Sequence, residues 1–196
     1  MITLGSNEDD FVKIQKEFLE STNGSNPTMK SQNVVVTQIQ KVINPISAKF
    51  YELKKESMSD KSELMLFHGT RGVSPLTVAQ EGLDTRVGNG GYFGRGIYGS
   101  RSPYYCHQGY KSQIGIRNML LYVNFLVGAM KKYNDDGHDS NLTRPPPNFD
   151  SVTCDVDSQT TTIRTLYDNA QTYVSYIIYY GFKNSGYSMS NDSDDD

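Results

Sequence analysis

His68 closes the apolar run Leu64-Met65-Leu66-Phe67 and is followed at once by Gly69 and Thr70. A strand ending there sets an imidazole at the strand end, with bare backbone beside it. The N–H and C=O of Gly69, shielded by no side chain, suit a planar amide in a ligand. Twenty residues on, Gly88 to Gly99 contains six glycines in twelve residues, interleaved with Tyr92, Phe93 and Tyr98. Such a segment is a loop or bulged strand where the backbone passes close to something, and it can close over a ligand. Tyr98 and Tyr105 supply aromatic faces for stacking. Together these types offer ring stacking, pairing with a planar amide and an imidazole.

Each feature also has a structural reading. A histidine after a strand often serves only the fold, a glycine-rich stretch with aromatics is commonly a hairpin connection, and tyrosines pack on sheets. The Phe93-Gly94-Arg95-Gly96 core lacks the strand–GxGxxG–helix setting of a dinucleotide-binding Rossmann turn. Taken singly none of these features identifies a function; their order and company do.

The elements that must position them follow from periodicity. Phe11, Ile14, Phe18 and Leu19 fall on one face of an amphipathic helix, with Ser6 and Asp9 as a capping pair. Ser21 to Lys30 is a polar loop, and Val34 to about Ile39 a strand. Asn44-Pro45 starts a second helix, whose buried face is expected to be Ile46, Phe50 and Leu53. Ser74-Pro75 starts a third that closes near Gly82. Met119 to Val127 is a long apolar strand, followed by a loop carrying Pro145, Pro146 and Pro147. Thr161 to Tyr167 and Tyr173 to Tyr180 are the last strands. Helices come early and strands late, without regular βαβ alternation, so the expected class is α+β: a mainly antiparallel sheet with flanking helices.

The chain has 196 residues, 36% of them hydrophobic and 21% charged, with a net charge of −3. That length buries a sizeable core. No basic stripe points to non-specific nucleic-acid binding, and no apolar run is long enough for a membrane-spanning helix. Cys106 and Cys154 lack CxxC spacing, so no metal site is expected and a reducing, intracellular setting (cytoplasmic or nuclear) is the simpler expectation. Residues 1–184 are expected to form one domain and 185–196 an acidic, disordered tail.

In order, His68-Gly69-Thr70, Gly94-Arg95-Gly96-Ile97-Tyr98 and Ser102-Pro103-Tyr104-Tyr105 resemble the catalytic domain of the poly(ADP-ribose) polymerase superfamily. Ile39 to Asn44 is similar to the family's early IQN segment, Leu142 to Pro147 to its proline-rich loop, Phe149-Asp150-Ser151-Val152 to YDSV, and Tyr167 to Gln171 to YD-x-AQ. The resemblance implies an ADP-ribosyltransferase fold with NAD as substrate and no metal. It assigns a ribose hydroxyl to His68, the nicotinamide amide to the Gly69 backbone, and the nicotinamide ring to Tyr98 and Tyr105. Ser102, with Ser100 as the other candidate, bonds the carboxamide oxygen. Thr70, Phe93 and Gly94 line the cofactor site. The third position of the family's triad, four residues before Tyr167, is Ile163 where polymerising members carry glutamate; a register placing Thr172 there abandons the YD-x-AQ match. His68, Tyr98 and Ile163 thus resemble a mono-ADP-ribosyltransferase triad. The implied acceptor is a protein, including the chain itself; nucleic-acid ends are not favoured, and no membrane is involved. The competing functional readings are a catalytically inactive NAD- or ADP-ribose-binding module, an RNA 2′-phosphotransferase or RNA-end modifier, and a purely structural protein. The sequence departs from the family at Gly99-Ser100 (for Phe-Ala), at Arg164 (for an aromatic or apolar residue) and at Tyr173-Val174-Ser175-Tyr176 (for Tyr-Pro-Glu-Tyr).

Overall fold

The computed structural model describes residues 1–21, 30, 33–88, 90–114, 117–134, 137–156 and 161–183. Its elements run β1 (Ile2–Thr3), α1 (Asp9–Glu20), β2 (Val34–Lys41), α2 (Pro45–Ser57), β3 (Glu63–His68), α3 (Pro75–Glu81), β4 (Ile97–Ser100), α4 (Pro103–Tyr110), β5 (Ser112–Ile114), β6 (Arg117–Leu126), β7 (Met130–Lys132), β8 (Ser151–Val156), β9 (Thr161–Leu166), a 3-10 turn (Asn169–Gln171) and β10 (Thr172–Phe182). Ten strands form one sheet in the order β1-β2-β10-β6-β3-β4-β9-β8-β7, with β5 on β6. Among the described pairs only β7 and β8 run parallel. The fold is α+β with a mostly antiparallel sheet, as expected.

The apolar run of β6, interrupted at Asn124, reflects burial on both faces. Met119, Leu121, Val123 and Phe125 join a core beneath α3. Leu120 and Tyr122 join a second core under α1, where Phe11, Ile14 and Phe18 pack with Cys106 of α4. Phe18 sits edge-on to Phe67, ring centroids 5.5 Å apart, and 5.1 Å from Tyr180.

Three helices open with a residue–proline pair whose first side chain caps the backbone. Asn44 accepts from the Ser47 N–H, Ser74 from Leu76, and Ser102 from Tyr105. A short side-chain acceptor there satisfies a helix N–H, and proline at the next position loses nothing because its N–H would be unpaired. α3 ends at Gly82, whose φ is 88°.

Two local expectations are corrected. The capping residue of α1 is Glu8, without a side-chain cap bond; Ser6 instead donates to Asn7 Oδ1. The expected buried face of α2 is solvent-facing, with Ile46, Phe50 and Leu53 at 71%, 59% and 53% exposure. The helix buries Tyr51 instead, its ring 6.2 Å from that of Tyr173. Half-buried Lys54 and Lys55 reach Asp168 at 2.9 Å and Glu63 at 2.6 Å. Lysine stems cover apolar surface while their ammonium groups find carboxylates, so this face competes with an aliphatic one of the same period. Most of the polar loop expected at 21–30 and the tail expected at 185–196 lie outside the described residues.

Candidate active site

β3 and β4 carry the first two motifs to one place. They pair only at Phe67 and Ser100, and β4 pairs antiparallel on its other side with β9, Tyr98 opposite Thr165 and Ser100 opposite Ile163. His68, one residue beyond the β3–β4 pairing, reaches across so that its Nδ1 lies 2.6 Å from the Tyr98 carbonyl oxygen. A carbonyl only accepts, so Nδ1 bears the proton and donates. Burial holds the His68 pKa below its ordinary value, opposed by that hydrogen bond. The imidazole is therefore neutral near pH 7, with Nε2 a bare acceptor.

Gly69 stands beside it with neither its N–H nor its C=O bonded to any described residue. A side chain is excluded there, because a Cβ on Gly69 would lie 2.5 Å from the Tyr110 carbonyl oxygen. The Tyr110 carbonyl also accepts from the Arg71 N–H at 2.7 Å, so the end of α4 is tied across the turn after β3. Thr70 is occupied within that turn, donating to the Val73 carbonyl oxygen at 2.6 Å and lying 2.7 Å from Ser112 Oγ.

α4 was not expected from the sequence. Its signal was the Ser102-Pro103 pair, the same cap logic as at Asn44-Pro45 and Ser74-Pro75, obscured by three tyrosines and a glycine in eight residues. The helix presents half-buried Tyr105, whose ring lies 6.3 Å from that of Tyr110. Ser102 Oγ accepts from the Tyr105 N–H at 3.2 Å, which leaves its own O–H to donate. Ser100, the other serine considered, is buried, and its hydroxyl is spent on the Thr162 carbonyl oxygen at 3.1 Å and the Ser102 N–H at 3.0 Å.

The glycine loop is fixed from below. The Tyr98 hydroxyl donates to the Gly94 carbonyl oxygen at 2.7 Å and accepts from the Phe93 N–H at 3.0 Å. Burial pushes the Tyr98 phenol up to about 12, so it stays protonated. Phe93 is fully buried, and its ring tilts against Tyr133 with centroids 4.9 Å apart; burying a phenylalanine stabilises by roughly 1.5–3 kcal/mol. Gly94 has φ 68° and lies against the Leu142 carbonyl, where a Cβ has no room. Ile163 is likewise fully buried, in a cluster with Phe93, Val152, Cys154 and Val156 against which Tyr98 and Tyr105 pack. The structure thus gathers His68, Gly69, Tyr98, Ser102 and Tyr105 around the β3–β4 junction, while Phe93, Gly94 and Ile163 form the packed floor of the loop. Sequence reasoning missed Tyr110, which walls Gly69, and the structural use of Tyr167, whose hydroxyl donates to the Phe93 carbonyl oxygen at 2.9 Å.

A groove of about 410 Å³ opens elsewhere, between α1 and the start of β3, lined by Glu17, Glu63, Met65, Phe67, Arg101 and Tyr122. It borders Phe67, whose side chain joins the core on the α1 side. Size alone does not mark the chemistry. Among the described residues no group of three or more His, Cys, Asp or Glu side chains converges as a metal site, and no helix is long and apolar enough to cross a membrane.

An α+β fold whose mostly antiparallel sheet carries a histidine–glycine strand end, a latched glycine loop and a serine-capped helix bearing Tyr105 is that of an ADP-ribosyltransferase. More particularly, residues 8–182 match the family model of the poly(ADP-ribose) polymerase catalytic domain, and the chain belongs to that family. The chemistry of that family is ADP-ribosyl transfer from NAD. No curated protein matches the chain.

Proposed function

We propose that this protein transfers a single ADP-ribose from NAD⁺ to a side chain of a protein acceptor, itself included, and releases nicotinamide. One observation carries the NAD⁺ half: the N–H and C=O of Gly69, unpaired among the described residues, stand next to a neutral His68 whose Nε2 has no partner among them. A carboxamide has one donor and one acceptor edge and satisfies both Gly69 groups at once. The donor set therefore fits the nicotinamide end of NAD⁺, with the Ser102 O–H for the carboxamide oxygen and Tyr105 for the ring.

NAD⁺ supplies a bond between ribose and a neutral leaving group, whose breaking builds positive charge on the ribose. The chain's contribution is orientation. His68 Nε2 accepts from a ribose hydroxyl and Nδ1 is pinned to the strand, so the ring cannot turn away. The Gly69 backbone and Ser102 hold the leaving amide, while Tyr98 keeps its phenol protonated and its loop in place.

The single-unit reading rests on Ile163. Chain growth needs a second ribose hydroxyl as nucleophile, and a hydroxyl gains greatly from a nearby carboxylate base. Ile163 has no lone pair and no exposed surface. An acceptor carboxylate is already anionic and needs no such base. Incubation with labelled NAD⁺, followed by a gel and mass spectrometry, should give one discrete ADP-ribose addition per modified site. A ladder or high-mass smear overturns the single-unit reading, and no incorporation at all overturns transfer itself.

A further inference from the structure

Of the five buried members of the cluster beneath the glycine loop, Val152, Cys154 and Val156 come from β8 and Ile163 from β9; the fifth, Phe93, is the loop's own side chain. Cys154 lies opposite Ile163 and Val152 opposite Thr165 in the β8–β9 ladder, so these side chains share one face of the sheet. Phe93 enters that face as the one buried apolar side chain of Gly91 to Gly96, a stretch of three glycines otherwise held by hydrogen bonds. Glycine-rich backbone is costly to order, so the conformation depends on its anchor. The anchor is reinforced at the same residue: the Tyr167 hydroxyl donates to the Phe93 carbonyl oxygen at 2.9 Å, and the Phe93 N–H donates to Tyr98. Above it, the Asp139 N–H donates to the Tyr92 carbonyl oxygen at 3.0 Å.

We propose that Ile163 and Tyr167 are positioning residues: they act on the NAD⁺ site through Phe93, by holding the glycine loop down. The third position of the triad then does a physical task in this protein, supplying the apolar floor for the loop's plug, beyond merely lacking a base. Tyr167 does the same through a single hydroxyl. The consequence for turnover rests on the NAD⁺ reading given above; the consequence for the loop does not.

The two are separated by pairing limited trypsin digestion with steady-state kinetics. Arg95 is exposed within the loop and is the reporter bond. Tyr167→Phe keeps the ring and removes only the hydroxyl, so it should raise the cleavage rate after Arg95 by roughly fivefold, as expected for one lost hydrogen bond on a local opening. Ile163→Ala should raise it further, and Ile163→Val should stay near wild type. In both loosened variants KM for NAD⁺ should rise more than kcat falls, because the loop must be ordered before the substrate is held. Should Ile163→Ala fail to fold by circular dichroism, Tyr167→Phe decides alone. Wild-type cleavage in Tyr167→Phe overturns the anchoring. Faster cleavage with KM unchanged in an active enzyme overturns the link to the NAD⁺ site. If the wild type turns over no NAD⁺, the proposed function fails while the cleavage result still tests the anchor.

Discussion

At the scale of single residues, each functional side chain is defined by what its other atoms are already doing. His68 spends Nδ1 on the Tyr98 carbonyl, so only Nε2 is left for a ligand. His68→Ala should therefore abolish transfer from NAD⁺ with an unchanged circular dichroism spectrum; near-wild-type activity in that folded variant would remove His68 from the site. Ser102 and Ser100, indistinguishable by sequence, separate in the same way. One hydroxyl is spent within the sheet, the other caps α4 and retains its proton. Tyr105 is testable without turnover. A benzamide-type compound carries the ring and amide of nicotinamide, and its binding should raise the melting temperature by mass action. Tyr105→Ala should lose most of that rise, and an undiminished shift in the variant places the ring elsewhere.

At the scale of elements, proline-led starts and glycine stops were legible, whereas the orientation of a helix about its own axis was not. In α2 the aliphatic set Ile46, Phe50 and Leu53 has a helical period, but so has the set Ala48, Tyr51 and Lys55. The structure chooses the second because Tyr51 meets Tyr173 and the two lysines meet Glu63 and Asp168. Phe50→Ser should then change stability by no more than about 0.5 kcal/mol, as for other surface positions. Tyr51→Ala should cost about 3 kcal/mol, the scale of an aromatic truncation in a core. Urea denaturation of both variants checks the pair, and a reversed order returns the helix to the orientation read from sequence.

At the scale of the whole molecule, two half-buried histidines tie stability to acidity. In α4, His107 Nδ1 lies 2.8 Å from the Tyr180 hydroxyl, and the Lys111 ammonium approaches Nε2 at 3.4 Å. Burial, aided by Lys111, pushes the His107 pKa from 6.5 down to about 4. Between those values the unfolded chain takes up a proton that the folded chain refuses. His107 thus exerts no penalty above about pH 6.5 and destabilises progressively as pH falls toward 4. His68, lowered by burial too, acts in the same direction. The melting temperature should drop between pH 7 and pH 5, with a smaller drop in His107→Gln; equal drops in the two proteins exclude His107 as a source.

The sequence by itself determined the class of fold, most strands, the starts of two helices, and the ordered blocks from His68 to Gln171 that carry the family. These depend on residues close in the chain: a period of two or of 3.6, a cap beside a proline, a motif of five letters. Only the tertiary structure decided which groups remain available. Gly69 is open because, among the described residues, no neighbour pairs with its backbone, Phe93 is a plug because β8 and β9 offer it a floor, and Ser102 differs from Ser100 by what stands across the sheet. Such properties are differences between a group's hydrogen-bonding capacity and the partners that folding brings to it. Those partners lie far along the chain, 74 residues apart for Tyr167 and Phe93, where no local pattern reaches.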